Sequence, residues 1–125
     1  MLARYKIYRG KRPPGEPLPK GVRQDTRKHT KHCLRPPEDI VTDYFTKPTP
    51  SAWIRLEAEY LCILKRRYDE NAQPFEELAR LATVDDVYIG CSCPTKKNPD
   101  INRCHTILAL RFMKERYPDL TVEFP

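Results

Sequence analysis

The chain is expected to fold as a small single α/β domain over residues 1–125, with a partly parallel sheet and helices packed on it. Three observations predict this. First, the apolar run Val87-Tyr-Ile-Gly-Cys91 reads as a buried strand, and a polar loop, a helical stretch over about Arg103–Tyr117 and a strand-like run Leu120–Phe124 follow it. A strand–helix–strand unit of this length sets its strands parallel through a right-handed crossover. Second, residues 52–69 repeat apolar side chains every three or four positions, the pattern of a helix with one buried face. Third, 125 residues are enough for one core without disulfide or metal staples.

The elements follow in order. Residues 3–9 alternate, with Tyr5 and Ile7 on one face and Arg4, Lys6 and Tyr8 on the other, so they read as a short strand with Tyr5 in the core. Residues 10–21 hold four prolines and three glycines, which excludes a helix or a central strand and leaves a long loop. Val22–Arg27 reads as a second, polar strand. Pro36-Pro37 stops the chain and starts a short helix, Glu38–Phe45, whose acidic first turn suits the helix dipole. Ser51 is the expected N-cap of the next helix, with Trp53, Leu56, Tyr60, Ile63 and Leu64 inward and Cys62 packed at the edge of that face. Pro74 opens a third helix lined by Phe75, Leu78, Ala79 and Ala82. The last helix turns Ile107, Leu108 and Phe112 inward, and Pro118-Asp119 breaks it.

Composition excludes several classes. Hydrophobic residues at 39% and charged residues at 32% fit a soluble globular chain, not a disordered one. No apolar run approaches the ~20 residues a membrane-spanning helix needs. Met-Leu-Ala-Arg-Tyr-Lys leads into no apolar signal segment. Five cysteines, an odd number, favour reduced thiols over a disulfide framework, so a cytoplasmic location is expected. The net charge of +6 is uneven: residues 1–35 carry +9 and residues 36–125 carry −3. Such a basic segment suits a phosphate-rich partner, including nucleic acid, and equally a solvated arm.

The stretch Gly90-Cys-Ser-Cys-Pro-Thr-Lys-Lys-Asn-Pro-Asp-Ile-Asn-Arg-Cys-His105 concentrates the chemistry. It lies beyond the carboxyl end of a strand, where ligands sit in open α/β sheets, and it ends at a helix N-terminus, where free N–H groups favour an anion. Lys96, Lys97 and Arg103 make it positive, and Arg9 and Arg27 stand at the ends of two other strands. Cys91, Cys93, Cys104 and His105 offer the soft ligands of zinc, although adjacent Cys104 and His105 make an awkward bite. Alternatively Cys104 or Cys91 is a reactive thiol activated by the helix end and by His105, which could exchange protons. The third reading is small buried filler, the common state of a free cysteine. The sequence leaves all three open. His29, His32 and Cys33 form a second cluster, either a metal half-site or a solvated basic turn. Arg9, Lys11 and Arg12 flank the Pro/Gly loop as further phosphate contacts, and Tyr5, Tyr8 and Trp53 could stack on bases, although Tyr5 and Trp53 fit the core better.

In order, "KIYRGKRPPG", "GVRQDTR", "FTKPTPSAWIRLEAEYLCIL", "FEELARLATVDDVYIGCSC" and "CHTILALRFMKERY" resemble the family catalogued as Domain of Unknown Function 488, also called YeaO-like. The resemblance implies a small α/β domain with the same succession of elements. By motif, Arg27 matches the arginine of the family's Asp-Arg pair, with Thr26 at its acid and Asp25 one step early. Pro50-Ser51 matches a Pro-Ser, and Cys91, Cys104 and His105 match the late motif. The family's Trp-Pro-Arg-Gly run is replaced by Lys28-His-Thr-Lys-His-Cys33. The resemblance implies a fold, not an activity. The expected function is binding of a phosphate-bearing ligand, a nucleotide or nucleic acid, by Arg9, Arg27, Cys91, Cys93, Lys97 and Arg103, with Cys104 and His105 as reacting groups. Two alternatives are a non-enzymatic nucleic-acid binder using the basic N-terminal region, and a zinc-stabilised module.

Overall fold

β1 (Leu2–Lys6), β2 (Val22–Asp25) and β3 (Val87–Cys91) form one parallel sheet in the order β1-β3-β2, in a computed structural model that describes residues 1–125. The α/β class is as the sequence predicts, with four helices: α1 (Glu38–Thr46), α2 (Pro50–Glu70), α3 (Gln73–Val84) and α4 (His105–Arg116). β3 slots between the first two strands, so Arg4 and Gln24 both lie beside Ile89. The Pro/Gly-rich connection therefore joins two strands that never touch. Where it re-enters the sheet, Gly21 has a φ of 139°, and a Cβ there would sit 2.4 Å from the Asp86 carbonyl oxygen. Only glycine fits that approach.

The core lies on one face of the sheet. Leu2, Val87 and Ile89 join Leu56, Tyr60, Leu64, Phe75, Leu108 and Met113 in a single buried cluster. Period-two alternation puts Leu2, Arg4 and Lys6 on that helix-covered face. Tyr5 and Ile7 thus turn the other way and lie across β3, against the space a Cβ on Gly90 would take. The expectation that Tyr5 belongs to the core is corrected: it is half-buried on the open face. β1 also ends at Lys6, not Arg9, because the chain leaves the ladder after Ile7 donates to the Cys91 carbonyl.

Three further expectations change. Thr49, not Ser51, caps α2, its hydroxyl accepting from the Ala52 N–H at 3.1 Å while Pro50 takes the first turn. Cys62 is exposed on α2 and does not pack. The Leu120–Phe124 strand shrinks to one parallel bridge, Leu2 to Val122, flanked by hydrogen bonds from Leu2 to Thr121 and from Glu123 to Leu2. α4 is the central helix: eight of its twelve residues are buried, because it lies between the sheet and α2. This fixes its N-terminus against the carboxyl ends of the strands. No helix is long and apolar enough to cross a membrane.

Candidate functional site

The loop from β3 to α4 folds back on itself, so Cys91, Cys93 and Cys104 converge. Their three sulfurs lie within 4.8 Å of one another. Cys93 and Cys104 are buried and Cys91 is half-buried. Asn98 holds the loop closed. It is buried, and its Nδ2 donates to Cys93 Sγ at 3.3 Å and to the Arg103 carbonyl at 2.8 Å, while its Oδ1 accepts from the Tyr44 hydroxyl at 3.4 Å. The two charged side chains on the core face of β1 brace the same loop: Arg4 donates to the Cys93 carbonyl and Lys6 to the Pro94 carbonyl, both at 2.6 Å.

Cys104 is the N-cap of α4 and directs no side-chain bond to the helix. Its sulfur instead accepts from the Thr106 hydroxyl at 3.1 Å. The direction follows from a third group. Arg4 Nε donates to Thr106 Oγ1 at 3.0 Å, and a guanidinium cannot accept, so the Thr106 proton is free for sulfur. The contacts at Cys104 thus favour the thiolate. Hydrogen bonds from Cys91 and Cys93, then the His105 imidazole, hold its thiol well below the usual range against the opposing effect of burial. The bonds to Cys104 and Cys93, with burial, push the Cys91 thiol up; the bond to Cys104, with burial, pushes Cys93 up, although the Cys91 bond and then the Asn98 donor offset part of that rise.

His105 is buried, and its Nε2 lies 3.0 Å from Thr26 Oγ1. The Thr26 hydroxyl donates to the Gly90 carbonyl at 3.0 Å, so it can only accept from His105. Nε2 therefore carries the proton, and neither ring nitrogen joins the sulfur cluster. His32 has both nitrogens engaged: Nδ1 accepts from the Leu34 N–H at 3.0 Å and Nε2 meets Gln24 Oε1 at 2.6 Å. Burial, with His105 nearby, takes its pKa down to about 4. Cys33 is pushed up to about 11 by burial. The His29–His32–Cys33 half-site therefore does not form; His29 lies on the surface, 3.8 Å from Asp25.

A cavity of about 580 Å³ opens above these groups. Arg9, Arg27, Cys91, Cys93, Lys97, Arg103, Cys104 and His105, all expected from sequence, line it together. Lys28 adds a fifth lysine or arginine, and no carboxylate lines the cavity. α1 and α2 contribute an apolar portion, including Tyr44, Phe45 and Trp53. Arg27 is held by Asp25 through Nε at 3.0 Å and Nη2 at 2.8 Å, leaving Nη1 directed at Ser92, 3.5 Å away. Burial pushes the Asp25 carboxyl up, and the Arg27 hydrogen bonds overcome this and hold it below its ordinary value. A second cavity of about 420 Å³ between α1 and α2 has mixed charge, with Asp43 and Glu59 beside Lys47 and Arg55, and no thiol or imidazole.

Other expected contacts fall elsewhere. Arg12 turns into its own loop, donating to the Lys6 and Glu16 carbonyls. Tyr8 is covered by Lys6 and Arg12 at 4.6 and 5.1 Å from its ring centre, so its face is not free for a base. Sequence reasoning missed Arg4, Thr26, Asn98 and Thr106. The available signal was alternation: Arg4 shares a face with Leu2, and a cation on a core face at a strand end marks a site. No family model matches the chain, and no curated protein or solved structure matches it significantly.

Proposed function

We propose that the chain binds a phosphate-bearing ligand of nucleotide size in the cavity at the carboxyl ends of its strands. The supporting observation is a concave lining with five lysine and arginine side chains and no carboxylate. An anion there gains charge-assisted hydrogen bonds from Arg27 and Arg103 and faces the uncapped first turn of α4. The volume suits a small ligand, and Tyr44, Phe45 and Trp53 offer an apolar surface for a base. A nucleic-acid strand is the competing ligand, supported by the basic N-terminal segment. Titration of Trp53 fluorescence with a nucleoside monophosphate tests the reading, since Trp53 is the only tryptophan and lines the cavity. Arg27→Gln and Arg103→Gln should each weaken binding by roughly tenfold or more. Binding that neither variant changes would contradict it.

Of the two groups expected to react, Cys104 is supported by the Thr106 hydroxyl that donates to its sulfur, and His105 by the Thr26 bond that fixes the proton on Nε2 and leaves Nδ1 as the basic nitrogen. The convergence of three sulfurs favours a second reading, zinc held by Cys91, Cys93 and Cys104. About one zinc per chain after purification under reductant would support it. The resemblance to the YeaO-like family stands as a proposal on its motifs, and the meeting of Arg27, Cys91, Cys104 and His105 at one cavity supports it. The odd number of cysteines supports a reducing, cytoplasmic setting.

A further inference from the structure

We infer that Cys91, Cys93 and Cys104 form a three-thiolate site for a thiophilic divalent cation whose fourth coordination position opens into the cationic cavity, so that the bound anion becomes the metal's fourth ligand. The inference rests on the zinc reading above and specifies what kind of metal site it is.

Tetrahedral zinc with bonds of ~2.3 Å to sulfur sets its sulfurs ~3.8 Å apart, so sulfurs within 4.8 Å need only a small contraction. A closed structural site would need a fourth protein ligand, and the neighbours do not offer one. His105 Nδ1, left unprotonated by the Nε2–H bond to Thr26, is not among the atoms that converge with the three sulfurs; both nitrogens of His32 are hydrogen-bonded, and no carboxylate lines the cavity. Three protein ligands with one open position is the arrangement of a metal that takes an exogenous ligand. All three cysteines line the cavity, so the open position faces it.

The surroundings suit a bound metal. Asn98 Nδ2 donates to Cys93 Sγ at 3.3 Å and Thr106 Oγ1 to Cys104 Sγ at 3.1 Å, the outer hydrogen bonds that orient metal-bound thiolates. Three thiolates and one divalent cation sum to a single negative charge, and Arg27, Lys97 and Arg103 stand around it to compensate. The same cations attract the anion that would fill the fourth position.

The test uses cobalt(II), whose visible absorption reports coordination number and thiolate ligation. Fully reduced protein is loaded with cobalt, freed of excess metal, and titrated with inorganic phosphate. The expected result is one cobalt per chain with thiolate charge-transfer bands, and ligand-field bands that shift on adding phosphate. Cys91→Ser, Cys93→Ser and Cys104→Ser should each lower cobalt affinity at least tenfold, and Cys33→Ser and Cys62→Ser should not. Cobalt binding with bands that phosphate leaves unchanged overturns the open position while the metal reading survives. No cobalt bound by protein with five titratable thiols overturns both. Calorimetry of phosphate with the metal-free protein is run alongside: failure there sinks the anion reading separately.

Discussion

Replacing Thr26 with valine isolates one hydrogen bond that orients the site. Valine matches threonine in shape and removes only the hydroxyl. The Gly90 carbonyl keeps a partner, because the backbone N–H of residue 26 also donates to it at 3.1 Å. His105 does not: its Nε2–H, now facing a methyl group inside a residue only 7% exposed, loses its acceptor. A buried donor left unsatisfied costs about 1–3 kcal/mol. Thr26→Ser keeps both hydrogen bonds and loses one methyl, for about 1 kcal/mol. Stability alone separates these weakly, so the second readout is the imidazole tautomer by nitrogen NMR. Thr26→Ser should keep the proton on Nε2, and Thr26→Val should release it from that nitrogen. A Thr26→Val variant within about 0.5 kcal/mol of wild type, with the tautomer unchanged, would refute the assigned donor and acceptor roles.

Other predictions follow from the same contacts. His32 is held neutral in the fold with its pKa lowered to about 4, so the unfolded chain takes up the proton first. Its contribution is therefore fully present above about pH 6.5 and is lost as pH falls toward 4, by about 3 kcal/mol in all. Urea titrations across that range should show the loss, and His32→Gln should flatten it. Asn98→Ala removes the donor to the Arg103 carbonyl and to Cys93, and should cost about 2–4 kcal/mol in the same assay; a loss under about 0.5 kcal/mol would mean that the loop closes without it. Leu108→Ala, in the fully buried middle of α4, should cost about 2–5 kcal/mol by the cavity it leaves.

The fold was legible where periodicity is strong. The inward faces of α2 and α3 follow their apolar spacing, except that Ile63 is half-buried outside the core cluster; the α/β class is as expected, but β3 finds its parallel partners in β1 and β2 and not in Leu120–Phe124. What stayed hidden depends on tertiary pairing. Residues 3–9 alternate cleanly, yet alternation does not say which face is covered, and the aromatic residue fell on the open side. Thr49 and Ser51 are both capping residues two positions apart, and only backbone geometry chooses between them. Leu120–Phe124 has the composition of a strand, but the ladder beside β1 holds one bridge. At the site, the basic and thiol residues were legible because they cluster around strand ends. Thr26, Asn98 and Thr106 were not, since a hydroxyl or amide shows its partner only when the chain has closed. His32 shows the converse: it looks like a ligand in sequence, and two hydrogen bonds have used its nitrogens.

The central claim is that the cavity between the strand ends and the start of α4 is an anion site. The most direct measurement is an amide and arginine side-chain NMR titration of reduced, metal-free protein with pyrophosphate. The account predicts saturable shifts confined to Arg27 Nε–H, Arg103 Nε–H and the first amides of α4, weakening as salt is raised. No perturbation of these signals at millimolar pyrophosphate, or shifts spread evenly over the basic N-terminal loop instead, would contradict it.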